Sequence, residues 1–170
     1  MAGRFRRLAE QVGRVSEAGA DVICLQEVTP RTRGVWQEAL VEAGWPQVAL
    51  AAADADATLG QPGRPLHVLT AARGPLQARH IPDLPWPERG LSTLVDGLEV
   101  VNLHSPISPK PGLVKVRTHE AVFAHLAGGR GPRLVCGDFN TPRREHPDGR
   151  VWTFARDQYL VFRSFDVLSV

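Results

Sequence analysis

The sequence predicts an α/β fold in which helices cover sheets. Three observations predict it. Segments with a helical period of apolar residues occur at residues 3–18, 32–43 and 113–126. Short, wholly apolar runs of strand length lie between them and after the second. Gly- and Pro-rich punctuation separates one run from the next, and neither an internal repeat nor a linker marks a second domain.

The elements follow in order. Phe5, Leu8, Val12 and Val15 recur every three or four positions with arginine and glutamate between them, which makes residues 3–18 an amphipathic helix closed by Gly19-Ala20-Asp21. Val22-Ile23-Cys24-Leu25 is a buried strand ended by Gln26 and Glu27. Thr29-Pro30 leads into a second helix over 32–43, with Val35, Trp36 and Leu40 inward, and Gly44-Trp45-Pro46 ends it. From Gln47 onward the pattern changes to strands at 48–50, 66–70, 91–95 and 99–103. Asp96-Gly97 is a two-residue hairpin signal between the last two. Residues 51–65 and 81–88 read as loops. Pro111-Gly112 precedes the third helix, residues 128–132 break it, and Leu134-Val135-Cys136 is a strand stopped by Gly137-Asp138-Phe139-Asn140. Residues 141–149 are polar and turn-rich; 159–162 and 165–170 are apolar.

Length and composition narrow the function. At 170 residues with 43 % hydrophobic content, the chain suits one globular domain with a core. No apolar run approaches the roughly 20 residues of a membrane helix, and no apolar stretch follows the basic start as in a signal peptide. The expectation is a cytoplasmic protein without integral membrane association. The arginine-, alanine-, glycine- and proline-rich composition suggests a GC-rich bacterial genome. A net charge of +2 and a pI near 8.8 permit a polyanionic substrate without requiring one. Cys24 and Cys136 each sit in an apolar stretch, which reads as two buried free thiols in a reducing compartment, with a disulfide left open.

Polar groups at the carboxyl ends of apolar strands mark the candidate site, because ligand sites gather there. Glu27 follows an apolar strand; a carboxylate there either meets water or holds a cation. His104 ends Val100-Val101-Asn102-Leu103, and Asp138 and Asn140 flank Phe139 after Gly137. Asp138 and Asn140, two apart, point to one side of an extended segment and pair a proton acceptor with an amide. Taken singly, each has a plainer reading: a solvent-facing glutamate, a hydrogen-bonded structural histidine, an Asx-type turn.

In combination, Leu25-Gln26-Glu27, then Asn102-Leu103-His104, then Gly137-Asp138-Phe139-Asn140, each after an apolar strand, resemble the endonuclease/exonuclease/phosphatase family over roughly residues 1–155. The resemblance implies a four-layer α/β/β/α sandwich of the DNase I-like type. It implies a metal-dependent phosphoester hydrolase, of the phosphodiesterase or endonuclease kind. Glu27 matches the ligand of a catalytic Mg2+ or Mn2+ ion. Asp138 matches the residue that orients or deprotonates the attacking water, Asn140 one that positions phosphate, and His104 one that donates to a phosphate oxygen. Asn102, Arg143 and Arg144 are expected to contact substrate, a phosphoester such as DNA; no protein partner is evident. Relative to the family pattern, the first strand with its asparagine and the closing Asp-His pair are absent. The expected domain is therefore a partial one over 1–158, with 159–170 an unassigned tail. A catalytically inactive remnant, or a hydrolase of lipid or inositol phosphates, are the alternatives.

Overall fold

The computed structural model describes residues 2–51, 65–107, 110–140, 144–145 and 151–152, with side chains from residue 8 onward, excepting Ala9, to 140. Helix α1 (Ala2–Glu17) leads into β1 (Val22–Val28), α2 (Arg33–Glu42), β2 (Gln47–Leu50) and β3 (His67–Ala72). Then come β4 (Leu76–Arg79), a 3-10 turn (Pro87–Arg89), β5 (Gly90–Val95), β6 (Leu98–His104), α3 (Val114–Gly128), β7 (Arg133–Asp138), β8 (Arg144–Glu145) and β9 (Val151–Trp152).

Two sheets form the centre. In the first, β3 lies between β1 and β2 and pairs antiparallel with both. The second has the order β4-β5-β6-β7. Its first three strands are antiparallel, and β6 and β7 run parallel. A parallel pair needs a crossover, which α3 supplies.

Side-chain alternation then fixes the layers. Ile23 of β1 with Leu69 and Ala71 of β3 face Leu40 and Trp36 of α2 and Val15 of α1, with Trp45 sealed beneath. Val101 and Leu103 of β6 face Ala121 and Val122 of α3, with Ile81 and Leu84 of the intervening loop. The opposite faces meet between the sheets, where Val68 of β3 packs on Leu91 of β5. The result is a helix/sheet/sheet/helix sandwich, the expected four layers. All six residues of β3 are buried, as a strand covered on both faces must be.

The Asp96-Gly97 hairpin is present, with φ of 48° and 82°, the positive pair a type I′ turn needs. Strand β4 is a correction to the sequence reading, which assigned no strand to these residues: of its four residues only Leu76 is half-buried, so an edge strand this exposed carries no apolar run. The loop assigned to 81–88 ends in a short 3-10 turn, and the turn-rich 141–149 holds β8. The loop expected at 51–65 and the tail at 159–170 lie almost wholly or wholly outside the described residues.

Candidate active site

Three strand ends converge at one rim of the sandwich. Strand β1 brings Glu27 there, β6 brings His104 and β7 brings Asp138. A bulge in the pairing between Leu25 and Val28, with Glu27 at φ 60°, breaks the strand alternation and leaves the carboxylate exposed. His104 and Asp138 are register partners of the parallel pair. Their Nε2 and Oδ2 atoms lie 4.0 Å apart, with the imidazole buried and the carboxylate half-exposed. Only glycine fits just before Asp138: a Cβ on Gly137, at φ 137°, would stand 1.9 Å from the Leu103 carbonyl oxygen.

The Gly137-to-Asn140 turn is anchored on several sides. The Asn140 backbone N–H donates to Asp138 Oδ1 at 2.9 Å, an Asx turn of the kind the sequence suggested. Asn140 Nδ2 donates to the Ser105 carbonyl at 2.7 Å, and the Ser105 N–H donates to the Asp138 carbonyl at 2.8 Å. From behind, Lys115 Nζ donates to the Asn140 carbonyl at 2.5 Å, and Ser105 Oγ shares a 2.9 Å bond with His119 Nε2. Lys115 is wholly buried.

The electrostatics follow from burial and neighbours. Burial pushes the His104 pKa below the ordinary value, the Arg89 guanidinium pushes the same way, and Asp138 and Glu27 oppose. His104 is therefore neutral at neutral pH, and its Nδ1 has no hydrogen-bond partner among the described residues. Burial also lowers Arg89, opposed by Glu88, Glu27 and Asp138. That guanidinium, buried above the Trp86 ring at 5.1 Å, thus lies within the field of both site carboxylates. Burial lowers Lys115, with Asp138 opposing. His119 is pushed down to about 4 by burial, with Lys115 adding to it.

The structure brings Glu27, His104, Asp138 and Asn140 together, and corrects one expectation. Asn102 does not face substrate. It is fully buried between the sheets, where Nδ2 donates to the Leu25 carbonyl at 3.2 Å and the Leu69 carbonyl at 3.0 Å, and Oδ1 accepts from Gln26 Nε2 at 2.8 Å. It clasps one sheet to the other at the foot of the site. Arg143 lies outside the described residues; the Arg144 backbone is in β8, opposite Trp152. The cysteines, expected buried, are half-buried and free. The neighbouring Cys136 and burial raise the Cys24 pKa, whereas the neighbouring Cys24 lowers that of Cys136 against the effect of burial.

Sequence reasoning missed Arg89 and Lys115. Arg89 closes a proline-punctuated loop and had no local signal. Lys115 had one: it shares the helical spacing of Thr118 and Val122, the buried face of α3.

Comparison with known proteins agrees with the fold. The fold is similar to that of an AP endonuclease from Archaeoglobus fulgidus, at a TM-score of 0.71 and 18 % identity, covering 92 % of this chain and 63 % of that one. It is similar to the 3′ phosphatase NExo from Neisseria bound to a product DNA hairpin, at 0.63 and 18 %, over 91 % of this chain and 63 % of that one. The 2′,3′-cyclic phosphatase ANGEL2 follows at 0.54 and 21 %, over 76 % and 42 %. The chain thus spans under two thirds of the length of these relatives. No curated protein matches it. Among the described residues no helix is long and apolar enough to cross a membrane. The model of the Endonuclease/Exonuclease/phosphatase family matches residues 1–160, nearly the whole sequence, and the chain, with its polar strand ends gathered at one rim, belongs to that family.

Proposed function

We propose that the chain hydrolyses phosphodiesters, nucleic acid first among them, with a divalent cation bound at Glu27. The observation that carries this reading is the convergence of Glu27, His104 and Asp138 with the buried Arg89 guanidinium in their field. Two carboxylates for a cation and a water proton, and nitrogen groups for a developing negative charge, are what in-line attack on phosphorus needs.

The donor suits a hard divalent ion such as Mg2+ or Mn2+. Glu27 is a hard oxygen donor on an open strand end, and among the described residues no group of three or more His, Cys, Asp and Glu side chains could hold a metal. Mg2+ keeps several of its waters and binds through one or two carboxylates, so a single glutamate fits it. When bound, it supplies Lewis-acid polarisation of the phosphoryl oxygens. The chain's own groups do the rest. Asp138, half-exposed and held by its bond to the Asn140 N–H, accepts the proton of the attacking water. His104, kept neutral by burial, donates its N–H to a non-bridging oxygen as charge builds. Arg89 adds fixed positive charge beside that oxygen, and Lys115 with Ser105 keeps the Asn140 turn in place. Support for nucleic acid comes from the AP endonuclease and the DNA-bound 3′ phosphatase among the similar structures, and the net charge of +2 is compatible with it.

The experiment is hydrolysis of plasmid DNA and of a chromogenic phosphodiester with and without magnesium, for the chain and for Glu27→Ala and Asp138→Ala. Each substitution is expected to lower the rate at least about 100-fold, the scale of a lost general base or bound cation. Turnover that is indifferent to magnesium, or to both substitutions in folded protein, would sink the reading. Hydrolysis confined to inositol phosphates or phospholipids would move the substrate class.

A further inference from the structure

The two cysteines play no part in the hydrolytic site, yet the fold sets them face to face. Along β1, Ile23 and Leu25 pack toward the helices, so alternation turns Cys24 into the space between the sheets. Along β7, Val135 packs on the α3 side, and Cys136 turns the other way into that same space. Neighbouring contacts fix the level of each. Cys24 is the register partner of Thr70, and its Sγ lies 3.9 Å from Thr70 Oγ1. Cys136 is the register partner of Asn102, whose Nδ2 lies 3.4 Å from the same Thr70 Oγ1. Cys24, Thr70, Asn102 and Cys136 thus lie at one level across the two sheets, and each thiol shifts the other's titration. Strands β1 and β7 touch across the two sheets, and a disulfide between them would hold its Cα atoms roughly 4.4–6.8 Å apart. Disulfides that join the two sheets of a sandwich through its core are well attested. Both residues keep partial exposure, so a small oxidant reaches them.

We propose that Cys24 and Cys136 are a redox modification site, joined by a peroxide-class oxidant into an intramolecular disulfide that staples β1 to β7. One thiolate attacks a peroxide oxygen; the O–O bond breaks, hydroxide leaves and the sulfur becomes a sulfenic acid. The second sulfur attacks that sulfur, an S–S bond forms, the S–O bond breaks, and water departs with the second thiol's proton. Two thiols and one hydrogen peroxide give one disulfide and two waters; the sulfurs lose the two electrons that the peroxide gains. A small-molecule thiol reverses the step by exchange. In a reducing compartment such a bond is a transient sensor, not a structural fixture. The staple would sit just below Glu27 and Asp138 on the same two strands, so it would tie the two carboxylate-bearing strands together.

The test exposes the reduced, folded chain to hydrogen peroxide, quenches it, and follows free thiols, intact mass and non-reducing peptide maps. Both thiols should disappear together, the monomer mass should fall by two hydrogens, and a peptide joining Cys24 to Cys136 should appear and be lost with dithiothreitol. The same treatment in guanidinium should cross-link at least about tenfold more slowly, because the fold holds the sulfurs together. Cys24→Ser and Cys136→Ser should each keep the mass from falling. Thiols that survive in folded chain, oxygen addition without a cross-link, disulfide-linked dimers, or equal rates folded and unfolded would each overturn the proposal. None of these readouts depends on catalysis, so failure here and failure of the hydrolytic reading are separable.

Discussion

Lys115 shows how a single side chain can hold a site it need not touch. A wholly buried ammonium is costly unless its hydrogens are taken up, and here the Asn140 carbonyl takes one while Asp138 supplies a favourable field. Replacing it by methionine keeps the stem and removes the charge, leaving that carbonyl without its donor. Lys115→Met is expected to lower unfolding free energy by about 2–3 kcal/mol, the worth of a charge-assisted bond. It should also lower kcat with little change in KM, because the turn it steadies carries the water-side groups. Thermal melts with steady-state kinetics check this; unchanged kcat in a destabilised protein would leave Lys115 a packing residue only. At this scale Glu27, His104 and Asp138 were legible because a polar residue after an apolar run is a local signal. The same signal misled at Asn102, which follows apolar residues yet turns its amide inward to four backbone and side-chain partners on the other sheet. Arg89 was illegible because its importance comes from carboxylates far away in the chain.

At the scale of elements, what could be read depended on whether the signal was local. The helices at 32–43 and 113–126 were legible from punctuation as much as period, and both boundaries agree within about two residues with α2 and α3. The β5–β6 turn was legible because its chemistry is confined to two residues. Gly97→Val would force a β-branched residue to φ near 82°, so it should cost about 1–2 kcal/mol, whereas Asp96→Asn should be close to neutral. Urea unfolding of both settles it; an unchanged midpoint for the valine variant would mean the turn has relaxed to another type. Strand β4 was illegible since an exposed edge strand borrows its structure from β5, not from its own residues. Glu99 on β6 is another non-local device: it accepts from Ser92 Oγ at 2.7 Å, meets His125 of α3 at 2.7 Å and lies 3.0 Å from Arg133, tying the far end of α3 to its sheet. Nothing in the local pattern around Glu99 announces that.

For the whole molecule, the layers were legible only through the family resemblance, because which sheet meets which is decided by contacts between distant strands. One global property does follow from the buried histidines. His119 titrates near 4 in the fold against an ordinary value of 6.5, and His104 is shifted in the same direction. As pH falls, the unfolded chain takes up the His119 proton first, so the His119 contribution to stability is full above about 6.5 and is lost as pH falls to about 4, with His104 acting in the same direction. The His119 share is on the order of 3 kcal/mol at most. Denaturant unfolding across that window should show the fall, and His119→Gln should flatten much of it; a flat wild-type curve would contradict the buried, neutral assignment.

The sheets are also nearly sequential along the chain: the first draws on residues 22–72 and the second on 76–138. Each half can pair its own strands before the halves dock. Glu27 belongs to the first and His104 with Asp138 to the second, so the rim comes into being only on docking, when Asn102 finds the carbonyls of Leu25 and Leu69. Such late, long-range contacts are the slow events of folding. Recovery of the proposed hydrolysis after refolding would therefore report the meeting of the two halves.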